Sequence, residues 1–113
     1  MAEDLPLPGR AVRGSETGRP IMALLDLLGR RWALRVIWEL RDGSPTTFRE
    51  LQSRCGGLSS SVLADRLREL DAAAIVEHRN GGYVLTGSGS DLLRLLGPLN
   101  DWAAGWANSR QGM

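Results

Sequence analysis

The chain has 113 residues and a formal net charge of +1 at pH 7, enough for one domain and too nearly neutral for any global field to draw it onto nucleic acid. A single cysteine, Cys55, and a single histidine, His78, exclude an internal disulfide and a Cys/His zinc site. No apolar run approaches the roughly 20 residues of a membrane span, and residues 1–20 hold no apolar signal core, so a cytoplasmic protein without metal or cofactor is expected.

Residues 1–18 carry Pro6, Pro8, Gly9, Gly14 and Gly18 among mixed charges and read as a flexible arm whose basic residues are Arg10 and Arg13. The domain proper is expected over 19–110. Pro20 can start a helix and Gly29 end it; between them Ile21, Met22, Leu24, Leu25, Leu27 and Leu28 are apolar on nearly every side, so this helix has two things to pack against. A second helix over about 31–41 repeats the pattern with Trp32, Leu34, Val36, Ile37, Trp38 and Leu40, and Asp42-Gly43-Ser44-Pro45 is a turn. Every cationic side chain is arginine, which a GC-rich genome explains without appeal to bidentate phosphate contacts.

Thr46 and Thr47 suggest a very short strand, followed by two helical turns from Phe48 to Cys55 that end at Gly56-Gly57. Ser59 is an N-cap candidate for a helix to Ala73 with Leu63, Leu67 and Leu70 at i, i+4 and i+7. Those leucines share one face, so Ser61, Asp65 and Arg68 lie opposite, flanked by Ser60 and Ala64. Arg68 suits a guanine edge or a phosphate, the serines suit phosphate, and Ala64 suits a thymine methyl. Asp65 repels phosphate; it accepts from a cytosine amino group, pairs with Arg68, or marks a face not used for DNA. Ile75 to Glu77 and Tyr83 to Leu85 then form two strands joined by a hairpin at Asn80-Gly81-Gly82, with Arg79 as a phosphate contact and His78 a solvated strand end.

Helix, turn, helix and ribbon in this order outline a winged helix-turn-helix, so a mostly α fold with a small β-ribbon (α+β) is expected, with the second helix of the pair in the major groove. The candidate DNA contacts are Thr46, Thr47, Arg49, Ser59, Ser60, Ser61, Ala64, Asp65, Arg68, Arg79 and Asn80. Thr86 can cap a C-terminal helix in which Leu92, Leu95, Leu96, Leu99, Trp102, Ala103 and Trp106 form an apolar stripe, interrupted at Gly97-Pro98. With Ile21, Leu24, Leu25 and Leu28 of the first helix, Leu92, Leu95, Leu96, Leu99, Trp102 and Trp106 are expected to build a homodimer that binds an inverted-repeat, palindromic operator in double-stranded DNA. Two other readings stand beside this one. A winged-helix protein-interaction or dimerisation module with little DNA binding is favoured by Asp65, the short wing and the near-neutral charge. A regulator sensing a small-molecule effector would use a pocket lined by Trp32, Trp38, Trp102 or Trp106, although tryptophans at helical spacing more often belong to a core. No catalytic constellation is present, so no enzyme is expected. Cys55 reads as a small buried filler whose thiol is mostly protonated.

The run from Pro20 to Trp32 (PIMALLDLLGRRW), with Phe48-Arg49-Glu50-Leu51, Ser59, Leu63, Arg66-Leu67-Arg68-Glu69-Leu70 and Tyr83-Val84-Leu85-Thr86, resembles the HxlR-type transcriptional regulators over about residues 20–107. The resemblance implies a bacterial, homodimeric winged-helix repressor or activator with a dimer built from terminal helices. Many members carry a sensing cysteine directly before the proline that starts the domain; here that residue is Arg19. The proline-containing wing loop of many members is replaced by Arg79-Asn80-Gly81-Gly82.

Overall fold

In the computed structural model, which describes residues 5–13, 15–16 and 18–110, the chain runs α1 (Pro20–Leu28), α2 (Ala33–Glu39), α3 (Phe48–Arg54), α4 (Ser60–Ala72), β1 (Val76–Arg79), β2 (Gly82–Leu85) and α5 (Gly87–Arg110). The fold is the expected α+β winged helix-turn-helix. Its core gathers Leu27 of α1, Val36 and Ile37 of α2, Leu51 of α3, Leu63, Leu67 and Leu70 of α4, and Val76 and Leu85 of the ribbon.

Within α1, Pro20 supplies the first-turn proline at no hydrogen-bond cost, and only Ala23 and Leu27 are fully buried. The next helix starts at Ala33, two residues later than its apolar pattern suggests, because Trp32 takes a left-handed conformation with φ 77°. A bulky residue there costs on the order of 1–3 kcal/mol and has to be held by its surroundings. The indole packs against the core, and the Arg31 guanidinium lies 5.9 Å from its ring centre.

Thr46 and Thr47 do not form a strand of their own. Thr46 makes a single antiparallel bridge to Tyr83, with N–H···O distances of 3.0 and 2.8 Å. Thr47 caps α3 instead: its hydroxyl accepts from the Glu50 amide at 3.1 Å while the Glu50 carboxylate accepts from the Thr47 amide at 2.9 Å, a reciprocal capping box. Gln52 Nε2 donates to the Leu58 carbonyl at 2.8 Å and so holds the turn into α4, where Ser59 caps by accepting from the Val62 amide at 3.3 Å. At its other end α4 closes with the Ile75 amide on the Leu70 carbonyl and the Ala74 amide on the Asp71 carbonyl, both at 2.9 Å. This is a Schellman motif, with Ala74 at φ 61° in the place glycine favours.

The ribbon pairs Val76 with Leu85 and Arg79 with Gly82. Its turn is tighter than the three residues suggested by the sequence: only Asn80 (φ 53°) and Gly81 (φ 80°) lie between the strands, both left-handed as a type I′ hairpin requires. Thr86 then caps α5, accepting from the Gly89 amide at 2.9 Å while its hydroxyl donates to the Ala74 carbonyl at 2.6 Å. The interruption expected at Gly97-Pro98 does not occur, and α5 is one helix of 24 residues. Pro98 removes only the amide that would have met the Arg94 carbonyl, and Arg94, Gly97 and Pro98 are all exposed, so water can serve that carbonyl.

In the stretch read as an arm, residues 1–4, 14 and 17 lie outside the described residues. Leu5 and Pro6 are buried, and Pro6 to Pro8 roof a cavity of about 360 Å³ floored by Pro20, Leu24, Leu27, Ile75 and Leu92. The Arg13 amide donates to Asp26 of α1 at 3.3 Å, which places this basic residue beside α1.

Candidate nucleic-acid interface

The leucine face of α4 is turned into the core, which leaves Ser60, Ser61, Ala64, Asp65 and Arg68 exposed. On this face Arg68 Nη2 lies 3.3 Å from Asp65 Oδ1, so the acid pairs with its neighbour three residues on. A second such pair sits on the wing, where Arg79 Nη2 meets Glu77 Oε2 at 2.9 Å. Exposed pairs of this kind are worth roughly 0.2–1 kcal/mol. An incoming phosphate can therefore displace either carboxylate at small cost.

The remaining candidates divide. Arg49 is exposed on the first turn of α3, and Asn80 is exposed at the wing tip. Thr47 and Ser59 are exposed too, but each hydroxyl is already a helix cap. Thr46 is removed from the surface: it is buried, its hydroxyl donates to the Ser44 carbonyl at 3.2 Å, and Arg54 Nη1 donates to it at 3.3 Å. Its bridge to Tyr83 draws it under the ribbon, so its side chain does not join the others. His78, exposed on β1, stacks edge-on against Tyr83 with ring centres 4.9 Å apart.

The apolar set expected to pair two copies is also split. Ile21 and Leu25 of α1 and Leu95, Leu99, Trp102 and Trp106 of α5 are more than half exposed. Leu24, Leu28, Leu92 and Leu96 are half-buried, with Leu28 and Leu92 packed on the core. Trp102 and Trp106 stack with their planes 8° apart. Two apolar residues outside that set, Leu34 and Trp38 of α2, are also exposed and line a groove of about 650 Å³ against Leu93, Leu96 and Leu99. Apolar periodicity marks a face without saying what covers it. Of the tryptophans, Trp32 packs on the core, whereas Trp38, Trp102 and Trp106 are more than half exposed; Trp38 borders the groove.

Cys55, at the C-cap of α3, is buried, and burial pushes its thiol pKa up. Among the described residues no cluster of His, Cys, Asp and Glu gathers to hold a metal, and no helix is long and apolar enough to cross a membrane.

Residues 27–111 match the family described as HxlR-like helix-turn-helix. The chain belongs to that family. It is 32% identical over 89 residues to the uncharacterized HTH-type transcriptional regulator YvaP of Bacillus subtilis (strain 168), covering 73% of this chain and 82% of that one. Among solved structures, quinone-bound YodB from B. subtilis aligns with a TM-score of 0.71 at 33% identity, covering 75% of this chain and 96% of YodB. A protein from Thermoplasma volcanium GSS1 described as a possible HxlR family transcriptional factor aligns with a TM-score of 0.66 at 30% identity, covering 75% of this chain and 82% of that one. Like its HxlR-like relatives, the protein is a transcriptional regulator and not an enzyme.

Proposed function

We propose that this HxlR-like regulator works as a homodimer in which residues 19–110 form the DNA-binding unit and α4 and the short wing of each copy read one half of an inverted-repeat operator. The observation that carries this reading is the pairing of two surfaces: a polar α4 face whose arginine is held only by an exposed carboxylate, and a long apolar stripe left uncovered on α5. With so little net charge, one head has few phosphate contacts to make, and two heads about one helical turn apart sum theirs. The contact set is Thr47, Arg49, Ser59, Ser60, Ser61, Ala64, Asp65, Arg68, Arg79 and Asn80, without the buried Thr46. Pairing uses Ile21 and Leu25 of α1 and Leu95, Leu99, Trp102 and Trp106 of α5, a seam spaced alternately by four and three residues as in coiled coils.

Selection of bound fragments from a random DNA pool, with the dimer mass followed by light scattering, tests both halves. A motif with two-fold symmetry and a dimer mass are expected. A dimer that enriches no sequence would instead favour the protein-interaction reading, for which the neutralised pairs Asp65–Arg68 and Glu77–Arg79 speak. YodB has been solved with quinone bound. This chain has Arg19 before its domain-opening proline and a single, buried thiol, so a quinone response here would have to proceed without an accessible cysteine.

A further inference from the structure

Besides its leucines, α4 is held by charge. Glu69, only 4% exposed, accepts from Arg30 Nη1 at 2.9 Å and from Arg66 Nη2 at 3.3 Å. Arg66 Nε stands 2.9 Å from the other carboxylate oxygen, an ion pair without good hydrogen-bond geometry, and Arg66 Nη1 donates to the Arg31 carbonyl at 3.2 Å. Two consecutive residues after Gly29, Arg30 and Arg31, are thus tied to two residues of α4. Buried ion pairs contribute little net stability, because the desolvation of both charges offsets their attraction. What they add is direction: apolar contact tolerates a helix rolling or sliding on its leucines, whereas a guanidinium fork on a carboxylate does not.

The other end of this connection is α1, which ends at Leu28 and presents Ile21 and Leu25 to the surface used for pairing. We infer that Arg30, Arg66 and Glu69 are positioning residues that lock α4 to α1 and so set the separation and phase of the two recognition helices in the dimer, which is the half-site spacing the regulator accepts. The inference rests on the dimeric reading proposed above. Adding one base pair between half-sites moves one of them by about 3.4 Å and turns it by roughly 35°. Heads fixed to their dimer helices cannot follow such a displacement; heads free to roll on leucines can.

The test uses the full chain and the operator recovered by selection, rebuilt with one base pair added or removed at its centre. Wild-type protein is expected to lose about tenfold or more in affinity, and the Glu69→Gln and Arg30→Lys variants less than about threefold, with dimer mass and half-site affinity unchanged. Undiminished spacing discrimination in the folded variants would overturn the inference. Should Glu69→Gln fail to fold, Arg30→Lys keeps the charge and carries the same comparison. A second readout needs no DNA: a spin label on Arg68→Cys, with native Cys55 buried, reports the head-to-head distance in the dimer. A narrow distribution that broadens in both variants supports the clamp, and an unchanged one overturns it. If wild type binds no DNA while the variants still broaden, the DNA reading fails and the clamp stands; a wild-type monomer ends both.

Discussion

Gly89 approaches Ile75 so closely that a methyl group built on it would stand 2.1 Å from the Ile75 carbonyl oxygen. The contact seats the first turn of α5 on the chain leaving α4, next to the Thr86 hydroxyl that bonds both sides of the junction. Ser or Ala at this position would force helix and ribbon apart, because backbone cannot yield as a side-chain tip can. Gly89→Ala is expected to cost at least the 1–3 kcal/mol typical of overpacking. An unchanged urea midpoint would show that α5 docks elsewhere.

Ala74 offers a gain in the opposite direction. It holds the left-handed position of the Schellman motif at the end of α4, where an L side chain costs about 1–2 kcal/mol and glycine nothing. Against this stands the greater freedom of glycine in the unfolded chain, about 0.4–1 kcal/mol. Ala74→Gly should therefore stabilise by up to about 1.6 kcal/mol, read as a higher thermal midpoint at fixed protein concentration. A lower midpoint would mean that the methyl group is itself packed.

The capping box makes stability depend on pH with a definite sign. Hydrogen bonds from Thr47 hold the Glu50 carboxyl below the ordinary glutamate value. Its contribution is present above the unfolded value and is lost as pH falls through the folded one. Glu50→Gln should thus be less stable than wild type at neutral pH and converge with it in acid. Urea melts at neutral pH and in the acid limb measure the difference, and a gap that widens in acid would contradict the box.

Arg68 and Arg79 separate by kind of contact. Removing the α4 arginine should weaken operator binding by about 1–3 kcal/mol and relax base preference at one position of each half-site. Arg79→Ala should weaken all sequences alike and lower the salt slope by about 0.9 per lost phosphate contact. Gel shifts at three salt concentrations on the selected site and a scrambled one distinguish the two. Identical profiles for both variants would remove α4 from the groove.

Much of this fold is legible because its signals are local. The three leucines of α4 with Ser59 before them, and the Asn-Gly turn between alternating residues, reveal helix and hairpin within a few positions. The late start of α2 is not local: Trp32 holds a left-handed backbone while its indole packs on the folded core, a contact that no neighbouring residue in the sequence announces. Burial of Thr46 likewise depends on Tyr83, 37 positions away by numbering, crossing over it. At the candidate site the exposed face of α4 follows from helical geometry, yet nothing in the spacing selects the capture of Asp65 by Arg68 over its other partners, and the link from Arg30 to Glu69 has no period to betray it. Leu34 and Trp38 look like core in sequence yet stand exposed, since apolar periodicity does not say which side of a short helix the domain covers.

The uncovered stripe from Leu95 to Trp106 also bears on how much of the protein is needed. If a second copy covers those side chains, part of the free energy of folding is supplied by association and varies with the logarithm of concentration. The melting temperature would then rise with the amount of protein present, and a dilute cell would hold fewer folded readers than proportion alone predicts.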